Sequence, residues 1–196
     1  MRLTKRGEYA LRTMIRLGVA HHFGREVVSV STLAEGERVP YKFLENILAD
    51  LRRAGFVESR RGKQGGVLVA QPMETIKMGD LVREIDGRLA PIGCASESDY
   101  TKCTCPDEDH CGLRMLMIDV RNAIAGILDR YSLAQVVQVT IRKMKRDGIS
   151  PPFSEDPEAD ATPPDPGSED KPIIPGESFL DWLTGGSPKP RTSPSK

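Results

Sequence analysis

The sequence predicts a mainly α-helical protein, in which three short helices and a two-stranded β-hairpin precede a long helix and a C-terminal tail. Three observations support this fold class. Apolar residues recur at three- and four-residue steps through much of the first 146 residues. A glycine-rich segment near residue 62 separates two short runs of strand-forming residues. Eleven of the fifteen prolines lie from Pro151 to Pro194, so the tail differs in character from the rest.

The first two predicted helices lie before residue 37. Residues 4–22 have the spacing of an amphipathic helix, with Thr4 as its N-cap and Gly24 as its end. Ser31 is expected to cap a short second helix that ends near Gly36. The third helix follows closely, which is the arrangement of a helix-turn-helix.

The third helix and the hairpin complete the predicted N-terminal domain, residues 1–72. A turn at Val39 and Pro40 leads into a helix over about 40–54, which Gly55 ends. The buried face of this helix holds Phe43, Leu44, Ile47, Leu48 and Leu51. FVESRR, GKQGG and VLVA then read as strand, turn and strand. The domain is therefore predicted to be a winged helix-turn-helix with a three-helix core and a two-stranded β-wing.

The second half of the chain is predicted to connect this domain to a dimerisation unit. Residues 73–93 form a connecting segment with a helix over 75–86, and residues 94–111 form a cysteine-rich loop. A helix over 112–130 would be about 29 Å long, and Ser132 caps the next helix. The long helix carries apolar residues over a wide face, so residues 112–146 are expected to form a homodimer. The alternative is that this face packs only onto the winged domain of the same chain.

The tail, residues 147–196, is acidic and rich in proline, a composition typical of disordered segments. One apolar motif interrupts it: IIPGESFLDWLTGG, residues 173–186, holds the only tryptophan of the chain. This motif either docks into a groove of a protein partner or packs back onto the protein's own surface.

Composition limits the location and the classes of partner. The chain has 38% hydrophobic and 29% charged residues, as globular proteins do, and no apolar run approaches the roughly 20 residues that span a bilayer. Charged residues interrupt the N-terminal segment, so we expect no signal peptide, no membrane partner and a cytoplasmic location. Residues 1–66 carry 13 Lys and Arg against 7 Asp and Glu, whereas residues 147–196 carry 4 against 10. Residues 1–66, here called the head, are therefore expected to attract a polyanionic partner.

Double-stranded DNA is the polyanion that a winged helix-turn-helix reads, with its second helix entering the major groove by the N-terminus. Lys42 is expected to reach a phosphate or guanine, Tyr41 a phosphate, Asn46 an adenine, and Glu45 a cytosine or to repel the backbone. Wing residues are expected to contact the minor groove or the backbone. The DNA-contact residues predicted on the wing are Arg60, Arg61, Lys63 and Gln64.

All four cysteines, Cys94, Cys103, Cys105 and Cys111, lie in the loop. In a reducing compartment, clustered thiols serve a metal or redox role more often than a structural disulfide. Thiolates bind iron–sulfur clusters, zinc or copper(I), and the gaps of one and five residues do not favour a zinc knuckle. Acids in and beside the loop are expected to raise the thiol pKa values, and His110 is expected to be solvated. Spacing alone leaves cluster, zinc and reversible disulfide open.

Three segments together resemble the Rrf-type regulators, the family of IscR and NsrR. They are MRLTKRGEYALR, the PYKFLENILADLRRAGFVESRRGKQGG block, and a cysteine-bearing loop before a long helix. The resemblance covers about residues 1–146. It implies a homodimeric bacterial transcription regulator that binds a roughly palindromic operator and, as in many members, carries an iron–sulfur cluster, 2Fe–2S or 4Fe–4S.

The resemblance also implies the cluster ligands. It assigns Cys94, Cys105 and Cys111 as ligands, with Cys103 as a spare or exchanging ligand, and Glu8 of the partner subunit as a further ligand. The loop is longer than is usual in the family, and it holds one thiol more. The expected function is therefore an operator-binding regulator, most simply a repressor, that responds to redox state, nitric oxide or cluster status.

Three alternatives remain beside this reading. One is a cluster-free regulator switched by zinc or by a thiol–disulfide change. Another is a small iron–sulfur redox enzyme, which is disfavoured because the chain has three histidines and no nucleotide-binding glycine motif. The third is an adaptor that acts through residues 173–186. We expect a regulator that is not an enzyme.

Overall fold

The computed structural model describes residues 3–62 and 64–154, and their fold is the winged helix-turn-helix with a long following helix that the sequence predicts. Lys63 and residues 155–196, which include the motif 173–186, lie outside the described residues. The elements in chain order are α1 (Lys5–His22), α2 (Val30–Glu37), α3 (Tyr41–Arg53), β1 (Val57–Arg60), β2 (Gly66–Val69), α4 (Met78–Asp86), α5 (Gly112–Arg130) and α6 (Leu133–Arg146). A single 3₁₀ turn, Gly93–Ala95, precedes the cysteine loop.

Helix α1 lies at the centre of the hydrophobic core, where it packs against α2, α3, α4 and α6. Met14 on α1 and Ile47 on α3 have no exposed surface. Helix α6 adds Leu133, Val137 and Ile141 to the same core. Helix α6 is therefore part of the hydrophobic core of the N-terminal domain. Its expected role in the dimer stays a prediction.

The N-cap of α2 is Ser29 rather than Ser31, so the sequence prediction was wrong at this point. Val28 exchanges two backbone hydrogen bonds with Val67 of β2, at 2.9 and 2.8 Å. This bridge keeps the chain extended up to Ser29, whose hydroxyl then accepts from the backbone N–H of Thr32 at 3.1 Å. Ser31 lies one position inside the helix and is exposed.

Replacing Ser29 by alanine should therefore destabilise the protein, whereas Ser31→Ala should have little effect. The loss of an N-cap hydroxyl costs about 1 kcal/mol, which for a chain of this size lowers the melting temperature by about 2–4 °C. Thermal unfolding followed by circular dichroism compares the two variants directly. Equal melting temperatures for both would contradict the assignment of Ser29 as the cap.

The wing is an antiparallel hairpin in which Val57 pairs with Val69 and Arg60 with Gly66. Gly66 must be a glycine, because a Cβ atom there would lie 2.3 Å from the carbonyl oxygen of Val28. Arg52, near the end of α3, donates to the hydroxyl of Ser59 on β1 at 3.3 Å. The wing is thereby held beside the third helix.

Two polar contacts join α5 to the head through α4. The guanidinium of Arg83 on α4 forms a bidentate pair with Asp129 on α5, at 2.8 and 2.6 Å. At the other end of α4, Asp86 accepts from the backbone N–H and hydroxyl of Thr4 at 2.8 and 2.5 Å. Thr4 is the N-cap of α1, as predicted, and accepts from the N–H of Gly7. Helix α4 begins at Met78, three residues later than predicted.

Candidate nucleic-acid interface and cysteine loop

The N-terminal end of α3 presents four of the predicted DNA contacts. Tyr41, Lys42 and Asn46 are exposed and Glu45 is partly exposed, while Leu44 and Ile47 are buried on the opposite face. Backbone N–H groups at a helix N-terminus carry partial positive charge, which favours a phosphate there. The arrangement suits insertion of this end into a major groove.

Lys42 and Glu45 form an ion pair on this surface, with 3.0 Å between the Lys42 Nζ and Glu45 Oε2 atoms. The Lys42 side chain is 86% exposed, so water screens the pair and it contributes little to stability. In the absence of DNA, Glu45 partly neutralises the charge that Lys42 would offer to a phosphate.

The wing places Arg60, Arg61 and Gln64 on the surface, whereas Lys63 lies outside the described residues. The Arg60 guanidinium approaches the Glu26 carboxylate at 3.6 Å. Sequence reasoning missed Arg52, which is exposed and lines a cleft with Arg61 between α3 and the wing. The sequence signal for this position is the adjacent basic pair Arg52 and Arg53 at the C-terminal end of α3.

The cysteine loop begins against α5. Cys94 lies in the 3₁₀ turn and is only 6% exposed. Its carbonyl oxygen accepts from Arg114 Nε at 3.0 Å, and the Ala95 carbonyl accepts from Arg121 Nη1 at 2.9 Å. The loop ends at Cys111, the N-cap residue of α5. Both ends of the loop are therefore held at the same helix.

Glu108 organises the interior of the loop, a role that the sequence did not indicate. Its side chain is 14% exposed and lies 3.4 Å from Arg114. It accepts from the Tyr100 hydroxyl at 2.6 Å and from the Cys103 thiol at 3.6 Å. The hydrogen bond from Tyr100 lowers the pKa of Glu108 and raises the pKa of Tyr100 to about 12.

The thiols affect one another's pKa values. Hydrogen bonding to Cys103 is the main cause that raises the pKa of Cys105 to about 11, with Cys111 adding a smaller effect. Burial, followed by Cys103, raises the pKa of Cys94. We expected nearby acids to raise the pKa values of the thiols. Glu108 does raise the pKa of Cys94, but its effect is smaller than those of burial and of Cys103. Cys103 thus raises the pKa of both Cys94 and Cys105.

The donor set fits an iron–sulfur cluster in its chemistry, because four soft sulfur atoms lie in one loop. Within residues 3–62 and 64–154, however, no three His, Cys, Asp or Glu side chains are arranged around a common metal position. Glu8, on α1, pairs with Lys5 at 2.9 Å and Arg12 at 3.6 Å. Its ligation through the partner subunit stays a prediction. His110 is 85% exposed and lies 2.8 Å from Asp107.

Helix α5 has no fully buried residue, although it is the longest helix of the described chain. One side of it packs on α4 and on the 3₁₀ turn. Another side carries an apolar seam at alternating steps of three and four residues: Leu113, Leu116, Val120, Ala123 and Ile127. Leu113, Leu116 and Ile127 are each more than half exposed. This is the pattern of a helix that pairs with another helix.

Comparisons with known proteins agree with this geometry. A family model described as Rrf2, an iron-dependent transcriptional regulator, matches residues 3–139. An rrf2-like HTH-type transcriptional regulator of Rhodobacter capsulatus is 33% identical over 69% of this chain and 91% of its own length. The HTH-type transcriptional repressor NsrR of Streptomyces coelicolor is 32% identical over 70% of this chain and 88% of its own.

A solved structure shares the fold. CymR (YrzC), the global cysteine regulator of Bacillus subtilis, superposes with a TM-score of 0.58 at 26% identity. The match covers 70% of this chain and 97% of that one. Separately, no helix within residues 3–62 and 64–154 combines the length and apolarity needed to cross a membrane.

Proposed function

The chain belongs to the Rrf2 family of transcriptional regulators, and we propose that it is a homodimeric, cytoplasmic repressor that carries an iron–sulfur cluster in its cysteine loop. The matched proteins are transcription regulators that bind DNA through a helix-turn-helix, which confirms that the chain is a regulator and not an enzyme. The operator is expected to be pseudo-palindromic, because a two-fold dimer presents two recognition helices to two half-sites.

One observation carries the proposal: α5 holds both ends of the cysteine loop and also presents the apolar seam. Arg114, in the first turn of α5, binds the Cys94 carbonyl, and Cys111 is the helix's N-cap residue. A chemical change at the thiols therefore acts directly on the helix that is expected to form the dimer. In that dimer, Cys94, Cys105 and Cys111 of one subunit and Glu8 of the other would hold the cluster.

The described contacts also connect α5 to the DNA-reading head. Asp129 pairs with Arg83 on α4, and Asp86 at the end of α4 binds Thr4, the N-cap of α1. Glu8 lies one turn beyond this cap. Loss, oxidation or nitrosylation of a cluster would break the proposed link between the cysteine loop and Glu8 on α1. Because that link supports the DNA-binding domains, the spacing of the two recognition helices would change. The proposed coupling is 1–3 kcal/mol, or about 5- to 150-fold in operator affinity.

Anaerobic purification tests the proposal. We expect bound iron and acid-labile sulfide, visible absorption, and operator affinity that differs between cluster-loaded and cluster-free protein by at least about 5-fold. Operator sequences are selected from random DNA, and affinity is measured by fluorescence anisotropy. Protein with neither iron nor visible absorption would overturn the cluster assignment, and equal affinities would overturn the switch while leaving the DNA-binding assignment intact.

A second candidate is a cluster-free regulator switched by a thiol–disulfide change or by zinc. The observation that favours it is that all four thiols are free in one loop and three of them, Cys103, Cys105 and Cys111, are at least partly exposed. Metal analysis together with mass spectrometry of the oxidised protein separates the two. Iron with sulfide supports the cluster, and an intramolecular disulfide or bound zinc supports the alternative.

Two substitutions on α3 should affect DNA binding in different ways. Lys42→Ala should weaken binding to all sequences alike and reduce the slope of log affinity against log salt by about 0.9, because one phosphate contact is lost. Asn46→Ala should cost about 1–3 kcal/mol and relax the preference at one base pair. Lys145→Ala, an exposed lysine on α6, is the matched control. A salt slope unchanged in Lys42→Ala would contradict the phosphate contact.

A further inference from the structure

A narrow apolar groove lies between α1 and α6. Ile15 and Val19 form its α1 side, and Thr140 and Met144 form its α6 side, each pair spaced by one helical turn. Its volume is about 310 Å³, the low end of the range for small-molecule pockets. It holds one or two large side chains but offers far less area than an independent protein partner needs for a stable interface.

The described chain ends at this groove. Pro152 lines one end of it, and Pro151 is buried. The ring of Phe153 lies between two guanidinium groups, 5.4 Å from Arg16 and 5.0 Å from Arg25. Such cation–π contacts hold an aromatic ring in place. The acidic tail therefore starts at the edge of the groove.

Two arginines, Arg12 and Arg16, lie at the rim of the groove. Both pair with Glu37, at 2.9 and 3.5 Å, and Arg12 also lies 3.6 Å from Glu8. The Arg12 and Arg16 side chains are 42% and 19% exposed, so part of each guanidinium group remains accessible to a further acceptor. The rim thus suits an occupant that combines apolar side chains with a carboxylate.

The motif SFLDWL, residues 178–183, has this combination. Phe179, Trp182 and Leu183 are spaced as one face of a helix, and Asp181 lies beside the tryptophan. Twenty-three residues lie between Ser154 and Ser178, a length that reaches up to about 80 Å when fully extended. We propose that residues 178–183 of the same chain dock in the groove between α1 and α6, with Trp182 against Met144 and Asp181 facing Arg16.

Tethering makes a small groove sufficient for this contact. A segment joined to its site by a short linker has an effective concentration of about millimolar, so an affinity too weak for a separate partner still gives high occupancy. Docking would fix the acidic tail to the head at two points, Phe153 and Trp182. This proposal is independent of the cluster and of the operator.

Fluorescence of the full-length protein tests it, because Trp182 is the only tryptophan. We expect Trp182 to emit at shorter wavelength than in the free peptide 173–186, and to be quenched by acrylamide several-fold less. Met144→Glu and Thr140→Glu, each at a partly exposed groove position, should restore the emission and quenching of the free peptide. Gln138→Glu, at an exposed position on α6 outside the groove, should change neither.

A second measurement does not depend on whether the groove variants fold. Trp182 is replaced by photoreactive p-benzoylphenylalanine, and cross-links are mapped by mass spectrometry. Cross-links within one chain to residues 12–19 or 140–144 support the proposal. Cross-links only elsewhere, or only between chains, overturn it. So does a full-length protein whose Trp182 emits and quenches like the free peptide, or folded groove variants in which Trp182 stays protected.

Discussion

Leu116→Asp is expected to convert the protein from dimer to monomer and to abolish operator binding. Leu116 is 55% exposed within the apolar seam of α5, the surface that the proposed two-fold dimer would bury against the same seam of its partner. An uncompensated charge buried at an interface costs about 3–5 kcal/mol, equivalent to at least about 100-fold in dimer affinity. Analytical ultracentrifugation and operator anisotropy measure the two effects.

Met115→Asp is the matched control for this substitution. Met115 is 62% exposed and adjacent in sequence, but it lies about 100° around the helix from Leu116 and outside the seam. It should leave both the dimer and operator affinity unchanged. A dimeric Leu116→Asp protein, or equal disruption by both variants, would show that the seam is not the interface.

Alanine substitutions of the four cysteines are expected to divide them into three ligands and one spare. Cys94→Ala, Cys105→Ala and Cys111→Ala should each lower affinity for the metal centre by more than about 100-fold, because even loss of a group that only orients a ligand costs 10- to 100-fold. Cys103→Ala should retain the visible absorption. Iron and sulfide content with absorption spectra of anaerobic protein measure this.

The reverse result for Cys103 and Cys105 has a specific structural meaning. Cys103 donates to Glu108 and raises the pKa of both Cys94 and Cys105, so it is the alternative candidate for the third ligand. If Cys103→Ala loses the centre and Cys105→Ala retains it, the assignment of Cys105 as the ligand, which the family resemblance implies, is wrong. Equal retention in all four variants would contradict ligation by this loop.

The sequence predicted a helix boundary correctly where the residues that determine that boundary lie close together in the chain. Thr4 caps α1, and the range 112–130 for α5 agrees with the structure. The cap of α2 was misplaced because Ser29 and Ser31 are equivalent locally. The choice between them depends on the pairing of Val28 with Val67, which is 39 residues away in the chain. The packing of α6 on α1 is likewise a tertiary contact that periodicity does not reveal.

The sequence predicted the candidate DNA surface because the position of a residue along α3 determines whether its side chain is exposed. It did not predict the interior of the cysteine loop. Its order depends on Arg114 and Arg121 binding backbone carbonyls and on Glu108 joining Tyr100, Cys103 and Arg114. Every residue has a backbone carbonyl, so a hydrogen bond to a carbonyl does not require a particular amino acid at the accepting position. Such bonds therefore leave no pattern in the sequence.

The attachment of both loop ends to α5 allows the loop between them to vary in length. Cys94 is held by its carbonyl at the first turn of α5, and Cys111 precedes that same turn. The distance between the ends is thus set by the helix and not by the number of residues between them. Loop-closure entropy grows only with the logarithm of length, about 0.6 kcal/mol per doubling. Residues inserted between Cys94 and Cys111 would therefore add surface without moving these two residues apart. The length of the loop can change while the first and last thiols keep their positions.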